Sequence, residues 1–205
     1  CTHCMKRCPT QAIRITGGKA HVDSERCIDC GQCMAVCPHH AIILQQSDLE
    51  HIYAYTHRVA IVPAMLFGQF DDSVACADIL DAIGRLGFTS IQIAEFGIDI
   101  LKALGGRISV YADDKPVISS YCPAVVRLIQ ISFPSLLRNI NLMRTPAQIT
   151  ALFTRLELVE SGIPLNEIGI FYVTPCAAKY AQIKSPQSDS LGIIQGGINL
   201  DSLYN

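Results

Sequence analysis

The sequence predicts an α/β chain in two parts: a small α+β module built around cysteines, then a larger α/β domain with a parallel sheet. Three observations carry this. Seven of the ten cysteines fall in the first 37 residues, and six of them lie in two copies of one internal repeat. From Arg58 onward, short apolar runs alternate with helical periodicity, the pattern of strands and crossover helices. All six histidines (His3, His21, His39, His40, His51 and His57) precede that change. The expected division is 1–46 for the module, 47–57 for a polar linker and 58–205 for the larger domain.

The elements follow in order. Residues 12–15, a Gly17-Gly18 turn and residues 20–22 read as a hairpin. The run 41–44 is apolar enough to pair as a strand. A buried strand is expected over 59–64, ending at Pro63. The spacing of Val74, Ala77, Ile79, Leu80 and Ile83 predicts a helix over 73–86, closed by Gly87. A strand over 90–94 and a helix over 98–104, ending at Gly105-Gly106, come next. Then follow a strand over 116–120 and a helix over 123–133, broken at Pro134. A long helix over 147–160 stops at Gly162, followed by a strand over 168–173, a helix over 177–183 and a last strand over 191–195.

Composition excludes several function classes. With 18 acidic and 16 basic residues the net charge is −2, so the basic excess of a nucleic-acid binder is missing. Half the 205 residues are hydrophobic, enough for a buried core. No apolar run reaches the roughly 18–20 residues of a membrane-spanning helix, and no membrane span is expected. Without a histidine after His57, the larger part cannot form a Ser-His-Asp site or a His-ligated zinc on its own.

The cysteine run has its own chemistry. Cys1-x-x-Cys4-x-x-x-Cys8-Pro9-x-x-Ala12-Ile13 recurs 29 residues later as Cys30-x-x-Cys33-x-x-x-Cys37-Pro38-x-x-Ala41-Ile42. The second copy is complete, with Cys27 ahead of Cys30. Three thiolates at two-residue gaps can wrap one 4Fe–4S cube, and the fourth, followed by proline, reaches the other cube. Two cubes with crossed ligands follow: Cys27, Cys30 and Cys33 with Cys8, and Cys1 and Cys4 with Cys37. The missing ligand of the latter is expected three residues before Cys1, in a chain trimmed at its N-terminus. Disulfides would require an oxidising compartment, and zinc favours two separated pairs. The segment resembles a bacterial-type ferredoxin, and its histidines are left as surface or supporting residues.

Of the other cysteines, Cys76 lies within the 73–86 helix and reads as a small buried hydrophobe. Cys122 and Cys176 each follow an expected strand, open an expected helix and neighbour a proline. A helix N-terminus favours a thiolate. The pattern leaves two readings open, ligands of one metal centre or core residues.

A family resemblance adds weight to the first. Ser119-Ser120-Tyr121-Cys122-Pro123 resembles the first signature of the FeFe-hydrogenase H-cluster domain, usually Thr-Ser-Cys-Cys-Pro. Pro175-Cys176-Ala177-Ala178-Lys179-Tyr180-Ala181-Gln182 resembles the second, usually Pro-Cys-x-x-Lys-Lys-x-Glu. Phe133-Pro134-x-Leu136-Leu137-x-Asn139-Ile140 and Pro146-x-Gln148 also fit. The resemblance implies a hydrogenase-type parallel-sheet domain, incomplete at Asn205 because the third signature is absent. It implies that Cys122 and Cys176 hold the 4Fe–4S part of an H-cluster. Lys179 would hydrogen-bond a cyanide of the di-iron subsite, a charge-assisted contact. Tyr121 stands where the catalytic members carry a proton-relay cysteine, and a phenol (pKa about 10) relays protons at neutral pH less readily than a thiol (about 8.5).

The favoured expectation is a hydrogen-sensing or low-activity hydrogenase. It would exchange electrons with a donor or acceptor such as a ferredoxin, lie in an anoxic cytoplasm, and pass a signal to a possible downstream domain. The alternatives are a ferredoxin-linked hydrogenase proper, which Tyr121 disfavours, and an iron–sulfur binding protein without the di-iron subsite, which Lys179 disfavours. Glu95 and Asp99 read as capping or surface carboxylates rather than proton-path groups.

Overall fold

A computed structural model describes residues 1–44, 47–105, 116–185 and 192–199. The cysteine-rich part contains α1 (His3–Arg7), β1 (Ile13–Thr16), β2 (Lys19–Val22) and α2 (Gln32–Ala35). β1 and β2 make the expected antiparallel hairpin, Ile13 opposite Val22 and Thr16 opposite Lys19. Its turn places Gly17 and Gly18 at φ 59° and 76°, as a two-residue hairpin loop demands. Only Cys4, Ala12, Ile13 and Ile28 are buried apolar residues among the first 44. So small a core needs a metal or covalent staple to hold its shape.

The larger part runs β3 (His57–Val62), α3 (Cys76–Arg85), β4 (Ser90–Ile93), α4 (Phe96–Gly105), β5 (Ile118–Ser119), α5 (Pro123–Ser132), β6 (Ile140–Asn141), α6 (Pro146–Glu160), β7 (Ile168–Val173), α7 (Ala177–Lys184) and β8 (Gly196–Ile198). Four strands form a parallel sheet in the order β4-β3-β7-β8. The two central strands are covered on both faces, which is why they read as unbroken apolar runs. Alternate side chains feed two cores. Ala60, Val62, Phe171 and Val173 pack with Ile79 and Ile83 of α3. Val59, Ile61, Ile170 and Tyr172 pack with Ala147 and Ala151 of α6. The entry to α6 is fixed by a capping box: Gln148 N–H donates to Thr145 Oγ1, and Thr145 N–H donates to Gln148 Oε1.

Several expectations are corrected. Residues 41–44 form no strand; Ile42 and Leu44 instead line a cavity shared with four cysteines. The 47–57 stretch is not a free connector. It holds a 3-10 helix, Leu49–Ala54, with Ile52 fully buried, Ser47 N–H bonded to Gly197 O, and His57 already in β3. The helix expected from 73 begins at Cys76, because the Asp71 carboxylate takes the Ser73 amide into a turn. Cys76 is exposed at that first residue rather than buried. The strand at 116–120 shrinks to β5 and leaves the main sheet to pair in parallel with β6, which the sequence pattern did not suggest. The last strand is β8, after the expected 191–195. Ile193 and Ile194 are buried, Gln195 bonds the Ile170 backbone through main chain and side chain, and Leu191 lies outside the described residues. Two glycines lead β8: a Cβ on Gly197 would meet the Tyr180 ring at 2.5 Å, and one on Gly196 would meet Ser47 Oγ at 2.8 Å.

Candidate metal centre

The 29-residue repeat is written into the backbone as well as the sequence. Ala12 N–H donates to Cys8 Sγ at 3.2 Å, and Ala41 N–H donates to Cys37 Sγ at 3.4 Å. Gln11 and His40, again 29 apart, both take positive φ, at 53° and 47°. Each amide comes from the fourth residue after its Cys-Pro cysteine. The Cys37 thiol is lowered by the amide of Ala41 above all. Burial raises the Cys8 thiol, but the amide of Ala12 and the Thr10 hydroxyl outweigh it and the net shift is downward. Burial pushes the Cys27 and Cys33 thiols up.

Cys8, Cys27, Cys30 and Cys33 line one cavity of about 190 Å³. It contains the four thiols that the crossed-ligand rule groups together. Apart from them its lining is largely apolar, with Asp29 as the one other ionisable group. A donor set of four thiols with an apolar surround suits a low-potential iron–sulfur cube, so the residues fit that group. Cys1 is exposed, Cys4 buried and Cys37 half-buried; α1, which carries Cys4, packs on α2, which carries Cys33. Among the described residues, no three His, Cys, Asp or Glu side chains converge on a single ion.

The same cavity reaches the larger domain. Ala177 and Ala181 of α7 complete its wall, and a Cβ on Gly31 would lie 3.4 Å from that of Ala177. Cys176 is the N-cap of α7, and Cys122 is the N-cap of α5, with Pro123 at the first helical position. α5 and α7 pack against each other. Cys122 is exposed and Cys176 half-buried, its amide held by Thr174 Oγ1 at 3.1 Å. A larger cavity of about 580 Å³ opens beside them, lined by Ser120, Pro123 and Arg127 on one side and Ala178 and Gln182 on the other.

Lys179 does not face solvent freely. Its ammonium donates to Tyr172 Oη at 3.1 Å and lies 5.4 Å from the centre of that ring, beside a cavity of about 20 Å³. Thr145, Gln148 and Gln182 line both this cavity and the large one. Tyr121 is half-buried in the turn before Cys122, its amide donating to Ser119 Oγ at 3.2 Å. Tyr180, at the position of a family lysine, is a packing residue: it is 2 % exposed and its hydroxyl meets Ser47 Oγ at 3.5 Å. Glu95 caps a neighbouring 3-10 helix by accepting the Ala64 amide at 2.8 Å, and Asp99 pairs with Lys102 on the surface. Sequence reasoning passed over Tyr172, which looks like any core residue of an apolar strand. It also passed over Asp29 and Arg127, which pair at 3.6 Å between the two parts. Only the position of Asp29 between Cys27 and Cys30 could have drawn notice.

Comparison with known proteins finds relatives for both parts of the chain. The family described as iron only hydrogenase large subunit, C-terminal domain, matches residues 54–195. The family described as 4Fe-4S binding domain matches residues 20–43. The NADP-reducing hydrogenase subunit HndD of Solidesulfovibrio fructosivorans is 27% identical over 183 residues, 78% of this chain and 31% of that protein. A 7Fe ferredoxin of Hydrogenibacillus schlegelii is 44% identical over 55 residues, 27% of this chain and 70% of that protein. A solved FeFe-hydrogenase structure, concerned with oxygen damage to the H cluster, aligns with a TM-score of 0.53 at 16% identity. That alignment covers 69% of this chain and 40% of the other, and shares the fold. The chain thus spans about a third of HndD.

Proposed function

The chain belongs to the iron only hydrogenase large subunit family, and on that premise we propose that it serves as a hydrogen-sensing or low-activity hydrogenase. In this reading Cys8, Cys27, Cys30 and Cys33 hold one 4Fe–4S cube, and Cys1, Cys4 and Cys37 contribute to a second. Cys122 and Cys176 contribute to an H-cluster. The carrying observation is the four-thiol cavity whose far wall is the helix capped by Cys176. That wall gives electrons a short route between the cysteine module and the hydrogenase-type domain.

When bound, these groups supply one-electron carriers and the centre at which two protons and two electrons interconvert with hydrogen. The chain's own residues set the conditions. The amides of Ala12 and Ala41, aimed at Cys8 and Cys37, stabilise added negative charge on those sulfurs and raise the potentials. Lys179 offers a charge-assisted donor to an anionic ligand, with Tyr172 fixing the direction of its ammonium. Tyr121, in place of a thiol, slows proton delivery, which suits a sensor better than an enzyme built for turnover. A ferredoxin-like carrier is the fitting electron partner, a reducing, anoxic cytoplasm the fitting location, and a downstream signalling domain the fitting recipient. Among the described residues no helix is long and apolar enough to cross a membrane.

One observation favours a second reading, an iron–sulfur protein without the di-iron subsite: the Lys179 ammonium already has a partner in Tyr172. Infrared spectroscopy after anaerobic maturation with the di-iron subsite decides between them. Carbon monoxide and cyanide bands that shift under hydrogen, with slow turnover, are expected. Absence of bands despite full 4Fe–4S loading would leave the second reading. Fast turnover would instead make the chain part of an ordinary ferredoxin-linked hydrogenase.

A further inference from the structure

Asp29 sits between two of the expected ligands, Cys27 and Cys30, in a left-handed backbone conformation with φ 53°. That conformation turns both its polar groups toward Cys27. Its amide donates to Cys27 Sγ at 3.4 Å, and the Cys27 thiol lies 3.5 Å from its Oδ1. The amide favours added electron density on the sulfur, whereas the carboxylate opposes it. A bare carboxylate there would hold the cube oxidised. It is not bare. Arg127 Nη1 lies 3.6 Å from Asp29 Oδ2, and Arg127 Nη2 donates to the Ser24 carbonyl, so one guanidinium grips the module at two points. Arg127 comes from α5, the helix capped by Cys122.

The pair is partly exposed, with side chains 42% and 37% accessible. Such pairs contribute little to folding. Their effect on a neighbouring redox group is a different quantity, because a fixed charge acts on the difference between two oxidation states. Resting on the reading that Cys8, Cys27, Cys30 and Cys33 hold a cube, we infer that Arg127 is a positioning residue of the electron path. It offsets the Asp29 charge, raises the potential of that cube, and fastens the cube's loop to α5.

The test is an EPR-monitored redox titration of the full chain, loaded with iron and sulfide under anoxic conditions. Arg127→Gln is expected to lower the potential of one cube and leave the other in place. The expected size is about a tenfold fall in the reduced-to-oxidised ratio at fixed applied potential, which is 59 mV for a one-electron couple. Arg127→Lys keeps the charge and is expected to keep the potential. Arg127→Gln combined with Asp29→Asn is expected to restore it. Unchanged potentials in Arg127→Gln at full iron content would overturn the inference, as would Arg127→Lys behaving like Arg127→Gln. If Cys27→Ser leaves the iron content and the spectrum as they are in the wild type, no cube lies there. That result overturns the underlying reading and this inference together, and the iron count tells it apart from failure of Arg127 alone.

Discussion

Gly97 is the second residue of α4 and lies against the start of α6. A Cβ there would stand 2.2 Å from the Pro146 carbonyl oxygen and 2.9 Å from its Cα and carbonyl carbon. Carbon contacts are comfortable at about 3.5–4.0 Å, so Gly97→Ala forces the two helices apart by roughly 1 Å. Pro146 cannot yield: its ring fixes φ, and the Thr145–Gln148 capping box holds the turn from both sides. Overpacking of this kind costs about 1–3 kcal/mol. Alanine's helix preference over glycine returns at most about 1 kcal/mol, and less at the first turn. The net effect is a loss of about 1–2 kcal/mol, or ~2–8 °C in Tm for a chain of this size. Gly84→Ala is the matched control. Gly84 lies in α3 with nothing within 4 Å of the added Cβ, so the same substitution should stabilise by up to ~0.5–1 kcal/mol. Thermal unfolding followed by circular dichroism, on the loaded chain under anoxic conditions, reads both signs. If Gly97→Ala raised Tm along with Gly84→Ala, the close approach of α4 to α6 would be refuted. The placement of Thr145 and Gln148 beside Lys179 would then lose its support.

Other outcomes are as definite. Thr150 is wholly buried and donates to the Ala94 carbonyl at 3.0 Å. Thr150→Val keeps the shape but leaves that carbonyl with the Gly97 amide alone, and should cost about 0.5–1.5 kcal/mol by denaturant titration with an unchanged slope. Iron removal by chelation should free the hairpin amides of β1 and β2 to exchange with solvent, while amides of β3 and β7 stay protected. Hydrogen exchange checks this, and equal protection in both parts would show that the small module stands without metal. Crossed ligation predicts that Cys8→Ser and Cys27→Ser remove the same EPR component and about half the iron of the cysteine module, while Cys37→Ser removes the other component. Separate losses for Cys8→Ser and Cys27→Ser would mean that those residues do not share a cube.

Much of the candidate site was legible because cysteine spacing and element boundaries are short-range marks. The spacing of Cys27, Cys30 and Cys33 is the spacing a cube requires. Cys122 and Cys176 stand where a strand's pattern ends and a helix's begins, and both are helix caps. The surroundings of Lys179 were less so, because a helical lysine carries no sign of what it meets. Its partner, Tyr172, looks like one more core residue of an apolar strand, and Cys76 was expected inside because a helix pattern does not say where cover begins.

By itself, the sequence determined the two central strands, the hairpin, and the 29-residue repeat of cysteines. These depend on side-chain period, turn residues and ligand spacing, which act over a few positions. Only the tertiary structure decided that β5 pairs with β6 outside the main sheet, and that the 47–57 stretch packs into the core. It alone placed Arg127 of α5 on Asp29 of the cysteine module. These contacts join residues far apart in the chain, where burial and shape select the partner and no local pattern records it.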